Sequence, residues 1–344
     1  MPRVRIAVIG TGAFGQRHIA YLKRERVAEI VAVADPSAAA ADYARAEGLR
    51  HFADYRDMLD EVGPEGAIIA SPNALHVPMG LACAERRVHM LVEKPLADTV
   101  EAARDLSGAA ERAGVALLVG HHRRYNPVIE KARELVQSGA LGKLTAVAAL
   151  WLIRKPDDYF DVAWRREQGG GPILINLIHD IDDLRYIGGE IESIQAMTSN
   201  VIRGFAVEDT AAITLRFCNG AIGTVTVSDA VPAPWSWEIT SGESAMYPQR
   251  PENCYLFGGS EASLTVPKLE LWRYEGAKSW SAPLVKETIA VSADDPLTRQ
   301  LRHFCRVIRG EEAPRITGAD ATRTLAATLA VNESATRGRA IPLD

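Results

Sequence analysis

A glycine-rich turn, Gly10 to Gly15 (Gly-Thr-Gly-Ala-Phe-Gly), is the feature that most constrains how this chain can fold. It follows the apolar run Val4 to Ile9 and opens a stretch with helical periodicity. A second apolar run, residues 30–34, ends at Asp35, which lies 20 residues beyond Gly15. Strand, glycine turn, helix, strand and acid in this order predict a dinucleotide site, with the pyrophosphate at the helix N-terminus.

The three glycines of this turn have different predicted roles. Gly10 makes the tight turn, Gly12 leaves room for the pyrophosphate, and Gly15 lets the helix approach the strand. Ala13 and Phe14 complete the predicted cofactor-binding turn. The alternative is an ordinary glycine-rich turn without a ligand.

Asp35 indicates which dinucleotide is bound. Its carboxylate can accept hydrogen bonds from both ribose hydroxyls and would repel a 2′-phosphate, and the following residues, Pro36-Ser37-Ala38, include no arginine to neutralise one. We therefore expect NAD as the cofactor, with NADP disfavoured. The alternative is that Asp35 is a turn residue or caps a helix.

Length and composition exclude several classes of protein. The 344 residues are 47% hydrophobic and 24% charged, which is typical of a globular chain of two domains. The net charge of −5 gives no reason to expect a nucleic acid or membrane partner. The predicted first strand leaves no room for a signal peptide, no apolar run suits a membrane span, and four scattered cysteines indicate reduced thiols. We expect a cytoplasmic protein.

The first 120 residues alternate apolar runs with helical patterns, which predicts an α/β domain with a doubly wound parallel sheet. The predicted strands are 3–9, 29–35, 66–70, 88–92 and 115–120. The predicted helices are 13–26, 37–47, 54–61, 76–86 and 99–113, with Ser37 as an N-cap.

A different pattern follows, so that we predict one domain over residues 1–121 and a second over 122–344. The second is predicted to be α+β, with a large and mostly antiparallel sheet. Its clearest element is a hairpin that turns at Asn219-Gly220. The other predicted strands are 143–152, several from 192 onward, 236–241, 253–257, 262–266 and 269–274, and the helices are 127–138, 171–187, 296–310 and 318–337. One open face of such a sheet could receive a ligand or a second subunit.

Lys94 is the first candidate for chemistry. Glu93-Lys94-Pro95 ends the predicted strand 88–92 at the edge where parallel sheets bind ligands. A lysine beside a cationic nicotinamide should have a depressed pKa, and it could hydrogen-bond a substrate hydroxyl. The alternative is a surface lysine after a strand.

The motifs together resemble the Gfo/Idh/MocA oxidoreductases, the glucose–fructose oxidoreductase and inositol dehydrogenase family. The motifs that carry this resemblance are Gly10 to Gly15, Ser71-Pro72-Asn73 with His76, Glu93-Lys94-Pro95, Arg123-Arg124-Tyr125-Asn126, and Gly169-Gly170-Gly171 followed by His179. The resemblance implies an N-terminal Rossmann domain and a homodimer or homotetramer. It implies that Lys94 and His179 are catalytic, that Ser71, Pro72, Asn73 and His76 line the nicotinamide half of the site, and that Glu93 supports the same end.

The segment after the glycine run predicts the second catalytic group. Three glycines let a backbone pass close to a ligand, and a regular helix would then present Asn176, His179 and Asp183 on one face. A histidine titrates near neutral pH and can accept a proton. The alternative is a histidine satisfied by Asp182 or Asp183. Many family members carry Asp where this chain has Ile175, so that we assign Asn176 only a substrate-binding role.

Weaker candidates complete the predicted site. His122 and Arg123 could face the substrate, as could Trp164, which precedes the glycine run. The charged run 154–158 is predicted to be a solvated loop. A metal site built from histidines and aspartates lacks ligand spacing, and we predict none.

These observations predict an NAD-dependent dehydrogenase that acts on a secondary alcohol of a sugar, polyol, cyclitol or related small ring compound. One alternative is a dehydrogenase of cis-dihydrodiols or hemiacetals in aromatic catabolism, whose carboxylated rings Arg123 and Arg124 would suit. Another is transient oxidation, in which NAD is recycled during glycoside cleavage or elimination. A non-enzymatic NAD-sensing regulator is an alternative of a different class.

Overall fold

The computed structural model describes residues 2–343 and divides the chain into two compact units. The first contains residues 1–122 and 295–325, and the second contains residues 123–294 and 326–344. The predicted domains, 1–121 and 122–344, differ from this division mainly over residues 295–325. That stretch packs with the first unit, where Phe304 and Ile308 lie against Gly66 and Leu118 forms an antiparallel bridge with Thr317.

The sheet of the first unit has six parallel strands in the order β3-β2-β1-β4-β5-β6. The strands are Val4–Ile9 (β1), Ala28–Ala34 (β2), His51–Phe52 (β3), Gly66–Ile69 (β4), His89–Val92 (β5) and Leu117–Val119 (β6). The order reverses between β1 and β4, and the carboxyl ends of strands at such a point are where ligands bind. The predicted parallel sheet is confirmed, with the short strand β3 in addition.

Five helices connect these strands. They are Ala13–Arg24 (α1), Ala38–Ala46 (α2), Tyr55–Val62 (α3), His76–Glu85 (α4) and Val100–Ala113 (α5). Ser37 caps α2 as predicted, because its hydroxyl accepts a hydrogen bond from the backbone of Ala40. Ile19 and Leu22 of α1 pack into a core with Ile6, Val8 and other apolar side chains of the sheet.

The sheet of the second unit has nine strands in the order β14-β13-β12-β11-β7-β10-β9-β8-β15. The strands are Leu144–Leu152 (β7), Ile191–Ser199 (β8), Thr210–Phe217 (β9), Ile222–Ser228 (β10), Tyr255–Gly259 (β11), Ala262–Val266 (β12), Glu270–Arg273 (β13), Val285–Thr288 (β14) and Ile341–Pro342 (β15). Only β7 and β10 pair in parallel, so that the prediction of a mostly antiparallel sheet is confirmed.

Alternation within the strands of this sheet separates its two faces. One face contributes Ile213, Leu215 and Phe217 to a large core, and the other presents exposed side chains such as Met197 and Ile222. The helices of the rest of the chain are Pro127–Gln137 (α6), Ile178–Gly188 (α7), Trp237–Thr240 (α8), Pro296–Ile308 (α9) and Gly318–Arg337 (α10).

Two predicted elements of the second unit are corrected. Residues 236–241 do not form a strand, because Ser236 caps the short helix α8. The predicted helix 171–187 begins instead with a π-helical segment, Ile173–Leu177, before α7 starts at Ile178. No helix in the described part of the chain is long and apolar enough to cross a membrane.

Candidate active site

The glycine turn has the shape that a pyrophosphate site requires. Gly10 has a φ of +92°, and a Cβ on it would lie 2.6 Å from the carbonyl oxygen of Ala70. A Cβ on Gly15 would overlap the carbonyl of Gly10. Around Gly12, by contrast, a Cβ would meet no protein atom within 4 Å. Two glycines therefore serve packing, and the third borders open space.

That open space lies at the N-terminus of α1. Gly12 is the N-cap residue, and no side chain caps the helix there, so that its first backbone N–H groups can bind an anion. Phe14 in the first turn is 46% exposed. The residues present thus fit the pyrophosphate of a dinucleotide.

Asp35 is held firmly at the carboxyl end of β2. Oδ2 accepts hydrogen bonds from the backbone and hydroxyl of Thr11, at 2.9 and 3.2 Å, and Oδ1 accepts two from Ser37, at 3.0 and 2.8 Å. Burial raises the pKa of Asp35, but these hydrogen bonds outweigh it and lower the pKa below its usual range. The carboxylate therefore stays ionised. Asp35 does not cap α2, because Ser37 is the N-cap of that helix.

Ser71 and the residues after it follow β4 at the same edge of the sheet. Pro72 precedes a short 3-10 helix, Asn73–Leu75, and α4 then begins at His76. The His76 ring is buried; Nδ1 lies 2.8 Å from the carbonyl oxygen of Pro95, and Nε2 lies 3.0 Å from that of Ser71. His76 thus bonds protein backbone on both sides, and its predicted place along the nicotinamide stays a prediction.

The Glu93 side chain links α1, the helix after the glycine turn, to the end of β5, the strand that precedes Lys94. Its Oε1 lies 2.7 Å from Nε2 of His18, and both side chains are buried. Burial alone would raise the pKa of Glu93, but the hydrogen bond and charge of His18, with the charges of His122 and Lys94, lower it to about 2. An anion therefore lies immediately beside Lys94 in the chain.

Arg123 lies in a buried cluster of charges in the second unit and is only 3% exposed. Its guanidinium donates to Glu238 at 2.8 Å and lies 3.3 Å from the Tyr255 hydroxyl, which in turn donates to Asp180. Asp183 is 3.5 Å from the same guanidinium. This geometry does not support the prediction that Arg123 binds substrate, because contacts within the protein engage both of its terminal nitrogens.

Asp180 and Asp183 share that one arginine. Burial raises the pKa of both carboxyl groups above the usual range, although the charge of Arg123 acts in the opposite direction. Arg124 makes a separate buried pair with Asp182, at 2.7 Å from Nε and 2.6 Å from Nη2. Asp182 and Asp183, the proposed partners of His179, thus each contact an arginine.

The segment before His179 is not the regular helix that the sequence predicts. The π-helical turn Ile173–Leu177 contains both Ile175 and Asn176, so that helical spacing no longer tells which of them lies beside His179. His179 is 8% exposed, near the start of α7. π-helical turns are frequent at functional sites.

Two further expectations about this unit need correction. Gly170 and Gly171 pack against the chain itself, because Cβ atoms there would overlap Trp164 and Glu208. Lys155, predicted in a solvated loop, is buried, with Nζ 3.4 Å from Asp229 and 4.8 Å from the centre of the Tyr159 ring. Burial lowers the pKa of Lys155, and Asp229 acts against this.

The remaining substrate candidates are side chains that solvent can reach. Trp164 is 51% exposed and His122 is partly exposed, so that both remain predicted substrate contacts. Among residues 2–343, no group of three or more histidine, cysteine, aspartate or glutamate side chains could hold a metal ion. A cavity of about 600 Å³ lies elsewhere, at the amino ends of β1 and β2 beside Arg5, Glu29 and Arg309.

Comparison with known proteins matches two stretches of the chain to family models. A family model described as the oxidoreductase family with an NAD-binding Rossmann fold matches residues 4–121, and a model of the GFO/IDH/MocA C-terminal domain matches residues 129–248. The rhizopine catabolism protein MocA of Rhizobium meliloti is 30% identical over 67% of this chain and 73% of its own. The scyllo-inositol 2-dehydrogenase (NAD(+)) of Bacillus subtilis is 26% identical over 99% of this chain and 97% of its own.

Solved structures show the same fold. The WlbA dehydrogenase from Bordetella pertussis, solved in complex with NADH and UDP-GlcNAcA, superposes with a TM-score of 0.82 at 24% identity, over 100% of this chain and 99% of that chain. A myo-inositol 2-dehydrogenase from Lactobacillus plantarum gives a TM-score of 0.80 at 19% identity, over 100% of both chains.

Proposed function

Because the chain belongs to the Gfo/Idh/MocA family of NAD-binding oxidoreductases, we propose that it oxidises a secondary alcohol of a sugar, polyol or cyclitol. The observation that carries the proposal is the placement of Lys94. It follows β5, at the same sheet edge as the glycine turn and Asp35, with the anionic Glu93 beside it. The substrate class is supported by inositol dehydrogenases among the relatives, which include one 34% identical from Rubrobacter xylanophilus.

Lys94 is proposed to hydrogen-bond the hydroxyl that is oxidised and to stabilise the negative charge that develops on its oxygen. An ammonium group is a compact donor with three protons, and Glu93 favours that charged form. The chemistry that bound NAD would supply is a hydride acceptor for the carbinol carbon. Gly12 and the open end of α1 would hold its pyrophosphate, and Asp35 would hold its adenosine ribose.

His179 is proposed to be the general base that takes the hydroxyl proton. An imidazole with an ordinary pKa of about 6.5 can accept a proton near neutral pH. Its neighbours Asp182 and Asp183 contact arginines, and Asn176 is proposed to bind a substrate hydroxyl. His122 and Trp164 are proposed to line the substrate.

A panel of polyols and sugars, read at the NADH absorbance band with NAD and NADP in parallel, tests this function. We expect NADH from at least one cyclitol or sugar and a preference for NAD. NAD binding without reduction by any alcohol would favour a regulator, and product formation without net NADH would favour transient oxidation. The alternative function, oxidation of a carboxylated dihydrodiol, loses its main support, because Arg123 and Arg124 are engaged in buried ion pairs.

A cytoplasmic homo-oligomer, a dimer or a tetramer, is also part of the proposal. The sheet face that carries Met197, Ile222 and Leu256 exposes apolar side chains of the kind that subunit interfaces bury. The cytoplasmic location has separate support in the thiol of Cys83. Burial raises its pKa to about 12, which keeps it protonated and unreactive, as expected of a reduced thiol. Sedimentation velocity of the wild-type protein and of Met197→Asp tests the interface, since only the charged variant should dissociate.

A further inference from the structure

Two buried histidines contact the residues on either side of Lys94. His18 of α1 binds the side chain of Glu93, the residue before it, and His76 of α4 binds the backbone carbonyl of Pro95, the residue after it. His18 is 2% exposed and His76 is 1% exposed, so that both are enclosed by the protein. Nothing in the proposed chemistry uses them.

The Glu93 carboxylate contacts both His18 and the backbone of Lys94. Oε1 takes the bond from His18, and Oε2 lies 3.3 Å from the backbone nitrogen of Lys94, which donates to it. Oε2 also packs against Gly120 after β6, where a Cβ would lie 2.8 Å away. With both oxygens held, the carboxylate cannot rotate without breaking a contact.

The His76 ring contacts two backbone carbonyl groups, one of them in the residue after Lys94. Nδ1 faces the Pro95 carbonyl at 2.8 Å, and Nε2 faces the Ser71 carbonyl at 3.0 Å. The ring therefore lies between the turn after β4 and the turn that carries Lys94, within hydrogen-bond distance of a backbone carbonyl in each.

We propose that His18 and His76 are positioning residues that fix Lys94 from both sides and link it to the cofactor-binding elements. This inference rests on the proposed role of Lys94. The link runs from α1, which opens at the glycine turn, and from the Ser71 turn, which is predicted to line the nicotinamide. A displacement of Lys94 by about 1 Å would reduce turnover by a factor of about 100, since reacting groups tolerate little misplacement.

Paired variants separate positioning from folding. His18→Leu removes the donor to Glu93, whereas His18→Gln keeps a donor near the Nε2 position. His76→Leu removes both contacts, whereas His76→Asn keeps a donor near Nδ1. His89→Leu is the matched control. His89 lies on β5, the strand that leads to Lys94, and the substitution removes a 3.0 Å hydrogen bond between its ring and the backbone nitrogen of Ala116.

The first readout needs no turnover. Reductive dimethylation with ¹³C-formaldehyde labels the lysines, and the Lys94 NMR signal is assigned by its loss in Lys94→Arg. We expect both leucine variants to move this signal, the conservative variants to restore most of the shift, and His89→Leu to leave it unchanged. A Lys94 signal that moves no further in His18→Leu and His76→Leu than in the control would overturn the proposal.

The second readout is kinetic and uses myo-inositol, or whichever alcohol of the panel is oxidised. We expect kcat to fall by a factor of about 10 to 100 in the leucine variants, with the NAD dissociation constant nearly unchanged. If the wild type oxidises nothing, the proposed function fails while the NMR arm still decides the positioning.

Glu93→Gln keeps the proposal falsifiable if a leucine variant does not fold. It preserves shape but removes the charge that faces His18, His122 and Lys94. Loss of that anion should move the Lys94 NMR signal, because the carboxylate contacts both the His18 ring and the backbone nitrogen of Lys94. An unchanged signal would overturn the proposed link from His18 through Glu93 to Lys94.

Discussion

Substitution of the glycines in the turn separates cofactor binding from folding. Gly12→Ala places a methyl group where no protein atom lies within 4 Å, at a residue whose φ of −65° suits alanine. The loss of an N-cap preference, at most about 1 kcal/mol, is offset by the lower entropy of the unfolded chain, about 0.4–1 kcal/mol. We therefore expect the free energy of unfolding to change by less than about 1 kcal/mol.

The same methyl group fills the space assigned to the pyrophosphate. NAD affinity should fall at least about tenfold, which corresponds to about 1.4 kcal/mol. Gly10→Ala should behave in the opposite way, because it forces alanine to a φ of +92° and brings its Cβ to 2.6 Å from Ala70. Strain and overlap together should lower stability by about 2–6 kcal/mol.

Urea unfolding and isothermal titration with NAD measure the two effects on the same samples. Bound NAD should raise the melting temperature of the wild type, and it should do so far less for Gly12→Ala. If Gly12→Ala bound NAD as tightly as the wild type, the pyrophosphate could not lie against Gly12 and the site would be misassigned.

The other predictions concern charges. The pKa of Glu93 is lowered from 4.5 to about 2, so that its contribution to the free energy of unfolding is complete above pH 4.5 and is lost as the pH falls towards 2. In Glu93→Gln, the free energy of unfolding measured with urea should therefore depend less on pH over that window. Asp35→Ala should weaken NAD binding more than NADP binding, and equal losses in parallel titrations would refute the ribose assignment. Arg124→Leu leaves Asp182 without its buried guanidinium and should lower unfolding free energy by about 3–5 kcal/mol, whereas a loss below 1 kcal/mol would show that the pair contributes little.

Local sequence signals account for most of the fold. The parallel sheet of the first unit follows from apolar runs that alternate with capped helices, and the hairpin at Asn219-Gly220 follows from its turn and alternation. β3 was missed because two residues, His51 and Phe52, carry no periodic signal. Residues 236–241 alternate like a strand, yet the Ser236 hydroxyl caps a helix there, which shows that capping can outweigh alternation over a short segment.

The charged clusters could not be predicted, because their partners lie far apart in sequence. Arg123 and Tyr255 are separated by 132 residues, and Lys155 meets Asp229 across the ends of two parallel strands. Nothing local distinguishes such residues from solvated ones. His18 was missed for the same reason, since its partner Glu93 lies 75 residues away.

The most direct test of the central claim is single-turnover formation of NADH by Lys94→Met and His179→Ala, with NAD binding measured on the same preparations. Lys23→Met, on the partly exposed end of α1, is the control. The account predicts that the rate falls by a factor of about 100 to 10,000 in both variants, with NAD affinity retained and the control unaffected. A near-native rate in Lys94→Met with NAD bound would contradict the account.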